Sequence, residues 1–360
     1  MTTPASILVV GAGLAGARCA ETLRAEGFDG ELTLVGEEPF APYERPALSK
    51  EFLMGEKSAT DLFLRSGSFW NEQRIELVLG QRVASVDRER RTATTSAGRV
   101  IGWDVLVLAT GARARRLPFA TPDGVHVLRT LADAQALRRE LLPGARLAVV
   151  GGGFVGAEVA STARKLGVDV TLLEAGSAPF ARALGPELGA RLAERYIDHG
   201  VDIRTETAAA EFLSLPGGRV RGVQLADGDV VEADVVLVAV GVEPAHELGS
   251  ELAPPIYECG DNAGSRGHWT GAAAEAVSVA RRILDLDPLP EQPPFFWSDQ
   301  FGLRLQLVGD TTHAAEVELE GTHESFIARY RGRGGKLVAA LASNQPAAMG
   351  GLRLEVAAAA

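Results

Sequence analysis

The strongest constraint on this chain is that it carries one unit twice. Residues 7–16 read ILVVGAGLAG and residues 147–156 read LAVVGGGFVG. Each is a short apolar run, then a glycine cluster, then an alanine-rich segment at helical spacing. Ala17, Ala20 and Leu23 follow the first cluster; Ala157, Val159, Ala160 and Ala163 follow the second. Gly27 and Gly167 then act as helix stops, and new apolar runs start at Leu32 and Val170. The pattern is strand, turn, helix, strand, and it predicts an α/β fold built on two copies of that unit.

Both turns have the spacing G-x-G-x-x-G: Gly11, Gly13 and Gly16, then Gly151, Gly153 and Gly156. Glycine is needed for a tight turn, for backbone approach to a pyrophosphate, and for close helix–strand packing. Leu14 and Ala15 in the first copy, and Phe154 and Val155 in the second, fill the variable positions. There a helix N-terminus offers free N–H groups and a positive dipole end to phosphates. An acid after the second strand, Glu37 in one copy and Glu174 in the other, can accept from ribose hydroxyls. A single such motif is a weak sign. Two, each behind an apolar strand and ahead of a helix, imply two Rossmann-like domains binding two dinucleotides. Glu174 stands where binding of a 2′-phosphate would call for a cation, which favours NADH over NADPH. The plainer reading is a surface acid at a strand end, and Arg182 lies further on.

The 360 residues suit two or three domains at about 150 residues each. A net charge of −11 argues against nucleic acid as a partner, since phosphate contacts need a basic surface. Cys19 and Cys259 are the only cysteines and form no C-x-x-C. That excludes a disulfide scaffold, a four-cysteine metal site and a C-x-x-C dithiol centre. The start, MTTPASILVV, has no basic leader character, and no apolar run nears the roughly 20 residues of a membrane span. A soluble, cytoplasmic monomer or homodimer is the expectation. The six histidines show no metal-ligand spacing, and no metal is expected.

At this point the chain resembles the FAD-dependent pyridine nucleotide oxidoreductases of the ferredoxin reductase type, relatives of the rubredoxin, putidaredoxin and dioxygenase ferredoxin reductases. PYERPALSK (42–50) is similar to the family's P-Y-x-R-P-P-L-S-K, with Ala47 for the second proline. VLVLATG (105–111) matches its A-T-G strand; DVVLVAVGVEP (234–244) and YECGD (257–261) match two further segments. HWT (268–270) and FWSDQF (296–301) match later signatures. The resemblance implies a discontinuous FAD-binding domain, 1–112 and 231–290, with an NAD(H)-binding domain, 113–230, inserted in it. A small α+β C-terminal domain, 291–360, follows a proline-rich linker. Its alternating Leu303, Leu305 and Leu307, and the segments Ser325 to Tyr330 and Leu337 to Leu341, predict paired antiparallel strands.

The resemblance also assigns residues. Lys50 and Glu158 would form a pair near the flavin and nicotinamide, the cation favouring the charge a flavin gains on reduction. The plainer reading is a surface lysine and a first-turn glutamate. Phe154 would cover the flavin, or simply pack helix on sheet. Arg45, Val83, Ala109, Thr110, Gly111, Gly241, Gly260 and Asp261 join the FAD candidates, with Trp269 and Trp297 at the flavin edge or in the core. Cys19 and Cys259 are expected to pack as small hydrophobes.

No cysteine lies in 37–60, where disulfide reductases of the larger superfamily carry theirs, so electrons must leave FAD directly. A ferredoxin-type iron–sulfur protein serving a P450 or Rieske oxygenase fits. Arg113, Arg115 and Arg116, or the run Arg329, Arg331, Arg333 and Lys336, are candidate docking cations; such clusters are also ordinary solvated faces. The resemblance is broken between Gly241 and Gly260, where relatives carry more residues, and after SNQPAAMGGLRLEVAAAA, where they continue. A more open flavin environment or an altered docking surface follows. The alternative is a flavoenzyme of the same fold acting on a small-molecule substrate in biosynthesis, or a nucleotide-responsive flavoprotein without catalysis.

Overall fold

The computed structural model describes residues 4–248, 253–263 and 269–359. It divides into two compact units: Met1–Glu44, Thr60–Arg113 and Val242–Glu291 form one; Arg45–Ala59, Ala114–Gly241 and Gln292–Ala360 form the other.

The first unit is built on a parallel sheet in the order Ile256–Glu258, Val105–Leu108, Ser6–Val10, Glu31–Val35, Glu76–Val78. Ile7, Leu8, Val9 and Val10 are all buried, as are Val105 to Leu108. Strands covered on both faces read as continuous apolar runs, which is why these segments do not alternate. Helices Leu14–Ala25 and Trp269–Ile283 lie on one face, closing through Ala17, Ala20, Ala276 and Ala280. The strands Val83–Asp87, Thr92–Thr95 and Val100–Gly102 form an antiparallel sheet whose Val83, Ala93 and Ile101 cover the other face.

The second unit repeats the plan in the order Val201–Arg204, Asp169–Leu173, Arg146–Val150, Val235–Val238, Val125–His126, all parallel. It also holds the C-terminal antiparallel sheet, ordered Phe295–Gln300, Leu303–Gly309, Leu337–Ser343, Phe326–Arg331, Glu316–Gly321. The expected pairing of the segments near 325–330 and 337–341 is therefore present. Leu303, Leu305, Phe326, Ala328 and Leu341 share a core with Leu188, Leu192 and Tyr196 of helix Pro186–Asp198. The other face of the sheet is covered by helix Met349–Ala359 through Met349, Leu352 and Val356.

The division by contacts differs from the one read along the chain. Strand Val235–Val238 pairs with Arg146–Val150, so the second unit continues to Gly241 rather than ending at 230. Residues 45–59 also cluster with it, not with the first unit. An apolar run such as VVLV does not state which of two similar parallel sheets it joins; that depends on partners far away in sequence. Part of the shortened 241–260 stretch, residues 249–252, and His268 of the HWT signature lie outside the described residues.

Candidate functional site

The glycines of the two turns fall into two classes. Gly11 (φ +117°) and Gly151 (φ +109°) have backbone angles L side chains rarely adopt, and a Cβ would sit 2.0 Å from the Ala109 carbonyl oxygen and 2.5 Å from that of Ala239. A Cβ on Gly16 would stand 1.9 Å from the Gly11 oxygen, and one on Gly156 2.2 Å from that of Gly151. These four are required by the chain's own packing. Gly13 and Gly153 are not: their φ values are −86° and −81°, and a Cβ there would meet nothing within 4 Å. Each precedes a twelve-residue helix whose N-terminus has no side-chain cap and no acid in its first turn. Bare backbone facing open space beside uncapped N–H groups fits a pyrophosphate in both turns. Leu14, Ala15 and Val155 lie in those first helical turns, Val155 exposed and Ala15 buried.

The acids differ between the copies. Glu174 accepts from the Gly152 and Gly176 backbone N–H groups, one on each carboxylate oxygen, both at 2.7 Å. That fixes the side chain across the second turn and leaves lone pairs on both oxygens for ribose hydroxyls. In the first unit the position directly after the strand is Gly36, where a Cβ would lie 2.6 Å from the Ala12 Cβ. The acid is displaced by one residue, to the exposed Glu37.

Around the first turn, Ala109 is buried and supplies the carbonyl against Gly11. Thr110 donates through Oγ1 to the Ala245 carbonyl (2.8 Å), and the Gly111 N–H donates to Asn262 Oδ1 (3.0 Å). Asn262 is buried, donates to the carbonyl of Leu108, and is a locking residue that sequence reasoning passed over although it adjoins Asp261. Gly260 (φ +87°) lies against Ala15, where a Cβ would come within 2.8 Å of the alanine Cβ. The half-buried Asp261 follows it. Cys19 and Cys259 meet here, both as buried free thiols. Hydrogen bonding to Cys19, then burial, pushes the Cys259 thiol well above its ordinary range, so the thiolate that redox chemistry needs is disfavoured. Val83 packs in the core with Val35 and Val78, and Trp269 opens the helix Trp269–Ile283.

In the second unit, the segment Arg45–Ser49 is a 3-10 turn that delivers Lys50 to Glu158, two residues past the second glycine motif. Lys50 Nζ donates to Glu158 Oε1 at 2.9 Å, with the two side chains only 13% and 7% exposed. Ser298 Oγ donates to the same oxygen at 2.6 Å, and Ser49 Oγ to Oε2 at 2.5 Å. Lys50 and Glu158 are thus a buried pair rather than a surface lysine and a solvated glutamate. Such a carboxylate is tolerated because three donors replace its water. Phe154 is half-buried between Phe296 and Phe180, with ring centroids 4.3 and 5.0 Å away. Arg45 donates to the Arg129 carbonyl at 2.5 Å, Gly241 (φ +104°) faces open space, and Trp297 stacks beside Phe295.

Two families match the chain. Residues 5–276 match the pyridine nucleotide-disulphide oxidoreductases, and residues 295–360 match the reductase C-terminal domain. The chain belongs to the pyridine nucleotide-disulphide oxidoreductases, in their ferredoxin reductase branch. It is 39% identical to the biphenyl dioxygenase system ferredoxin–NAD(+) reductase component of Paraburkholderia xenovorans (strain LB400), covering 89% of this chain and 85% of that one. Putidaredoxin reductase CamA of Pseudomonas putida is 35% identical, over 84% and 80%. Among solved structures, the covalent putidaredoxin reductase–putidaredoxin complex matches with a TM-score of 0.93 at 31% identity, covering 98% of this chain and 93% of that chain.

Membership carries FAD and a pyridine nucleotide as the working groups of this oxidoreductase. Among the described residues there is no three-residue His/Cys/Asp/Glu group able to hold a metal and no helix long and apolar enough to cross a membrane. Two of the four cations in the reductase's basic run are paired within the sheet. Arg329 pairs with Glu320 and Arg331 with Glu318, each at 2.8 Å across neighbouring strands, and Lys336 donates to the Ala359 carbonyl. Arg113 pairs with Glu247. Arg115 and Arg116 are exposed.

Proposed function

We propose that this chain takes a hydride from NADH and passes the electrons through FAD, one at a time, to a ferredoxin-type iron–sulfur protein of a P450 or Rieske oxygenase system. The observation that carries it is the buried Lys50–Glu158 pair, set two residues beyond a glycine turn whose Gly153 faces open space. The turn of Gly11, Gly13 and Gly16 would hold FAD, which would supply the exchange between a two-electron donor and a one-electron acceptor. The remaining roles belong to side chains. In the second unit, Lys50 offers a positive charge of the kind that favours a reduced flavin, Glu158 holds that ammonium in place, and Phe154 presents an aromatic ring beside Phe296 and Phe180. Thr110, Gly111, Gly260 and Asp261 complete the FAD cradle. No group need take or give a proton for the hydride to move; orientation and exclusion of water suffice. The absence of cysteine from 37–60 leaves no thiol relay there. The purified protein should be yellow, bleach on anaerobic addition of NADH, and reduce cytochrome c only when a ferredoxin is added. A flavin that NADH fails to bleach would sink this reading.

For the nucleotide, the carboxylate of Glu174 is pinned by two backbone N–H groups, where a 2′-phosphate would meet its charge. Glu174→Arg is expected to shift the NADH/NADPH ratio of kcat/KM by about tenfold or more towards NADPH, from loss of repulsion and gain of a cation. Steady-state kinetics with both nucleotides measures it, and an unchanged ratio would remove Glu174 from the specificity determinant.

A further inference from the structure

The C-terminal sheet places two polar side chains of one strand face inside the unit. Ser298 and Gln300, two residues apart on Phe295–Gln300, share that face by the period of a strand. Both are buried, Ser298 completely. Ser298 Oγ donates to Glu158 Oε1, the oxygen that also receives Lys50, while Gln300 Oε1 accepts from the phenol of Tyr196 at 2.7 Å. One residue on, the Phe301 N–H donates to Ser161 Oγ at 2.8 Å, one helical turn past Glu158. The strand is therefore fastened to helix Phe154–Lys165 through Ser298, with the Phe301 N–H just beyond it, and to helix Pro186–Asp198 through Gln300. Ser49 holds the other oxygen of Glu158, so rotation of the carboxylate would break bonds on both sides.

From this geometry we propose that Ser298 is a positioning residue for the redox pair. Its hydroxyl fixes the plane in which Glu158 presents Oε1 to Lys50, which makes the C-terminal sheet part of the hydride-accepting machinery as well as a packing element. This rests on the reading of Lys50 and Glu158 given above. A hydroxyl with a single proton, spent on a buried carboxylate, is a charge-assisted bond, stronger than a neutral one.

The test is Ser298→Ala, with Ser298→Thr as the variant that keeps the hydroxyl, each also made with Glu158→Gln. Two quantities are read on the FAD-loaded protein: the rate at which saturating NADH bleaches the flavin, and the melting temperature. Ser298→Ala should slow bleaching about tenfold, the worth of one hydrogen bond to a charged group, with the NADH concentration for half-maximal rate unchanged. Ser298→Thr should recover most of that rate. With Glu158→Gln present, adding Ser298→Ala should change both the rate and the melting temperature by less than it does alone, because the two positions are coupled. A wild-type bleaching rate in Ser298→Ala, or strictly additive effects in the double variant, would overturn the proposal while leaving the ion pair's role intact. A wild-type rate in Glu158→Gln alone would overturn the reading beneath it, and the proposal with it.

Discussion

Glu158→Ala is expected to cost about 3–5 kcal/mol of folding stability, because it strips the partner from a buried charge. It is also expected to slow reduction of the flavin by NADH about a hundredfold, the scale of a misplaced group in a site that works by orientation. The two effects have one origin. Lys50 is 13% exposed and is left without its carboxylate, and the hydroxyls of Ser49 and Ser298 lose the acceptor they share with it. Urea unfolding and anaerobic stopped-flow spectroscopy measure the two separately. Lys50→Met, which keeps much of the volume, should slow the chemistry comparably because the charge offered to the flavin is gone, and it too leaves a buried ion uncompensated. A Glu158→Ala protein as stable as wild type would mean that water replaces the carboxylate, contrary to its 6% exposure.

The second large effect separates the glycines of one motif. Gly16→Ala places a Cβ 1.9 Å from the Gly11 carbonyl oxygen, a backbone atom that cannot step aside, and should destabilise the protein by about 3 kcal/mol. Gly13→Ala meets nothing within 4 Å at an ordinary φ, so its stability should stay within about 0.5 kcal/mol of wild type. Its new methyl stands where the phosphates must approach, so this variant should fold normally and emerge from gel filtration with its yellow colour lost. Gly153→Ala should remain yellow and need more NADH for half-maximal rate. Thermal melting and the ratio of flavin absorbance to protein absorbance check all three. A Gly13→Ala protein that retains flavin as tightly as wild type would leave that turn without its assigned ligand.

The parts of the fold that were legible in the sequence are those set by local pattern. ILVV and LAVV, each ahead of a glycine cluster, are central strands of parallel sheets, and the alternating Leu303, Leu305 and Leu307 are buried in their strand, joined by Val308. The candidate site was legible only in part. Lys50, Glu158, Phe154 and Glu174 could be named from their motifs. Ser298 sat inside FWSDQF and Asn262 beside Asp261 without a role, because a hydroxyl or an amide acquires one only from what it faces. In the basic run near 329–336, Arg329 and Arg331 pair diagonally with Glu320 and Glu318 of the adjacent strand. That neutralisation is a matter of strand register and has no local sign.

By itself the sequence determined the duplication, the two G-x-G-x-x-G turns and the absence of cysteine from 37–60. Short-range backbone demands and counts of residue types decide these, and neither requires knowing what lies across the fold. Tertiary structure alone decided which glycines serve packing and which face open space, to which sheet Val235–Val238 belongs, and that Cys19 meets Cys259. It also decided that the carboxylate of Glu158 is held by Ser49, Lys50 and Ser298. Those outcomes depend on burial and on what each group faces, and for Glu158 on partners more than a hundred residues away, where dehydration turns an ordinary lysine, glutamate and serine into a single charged cluster.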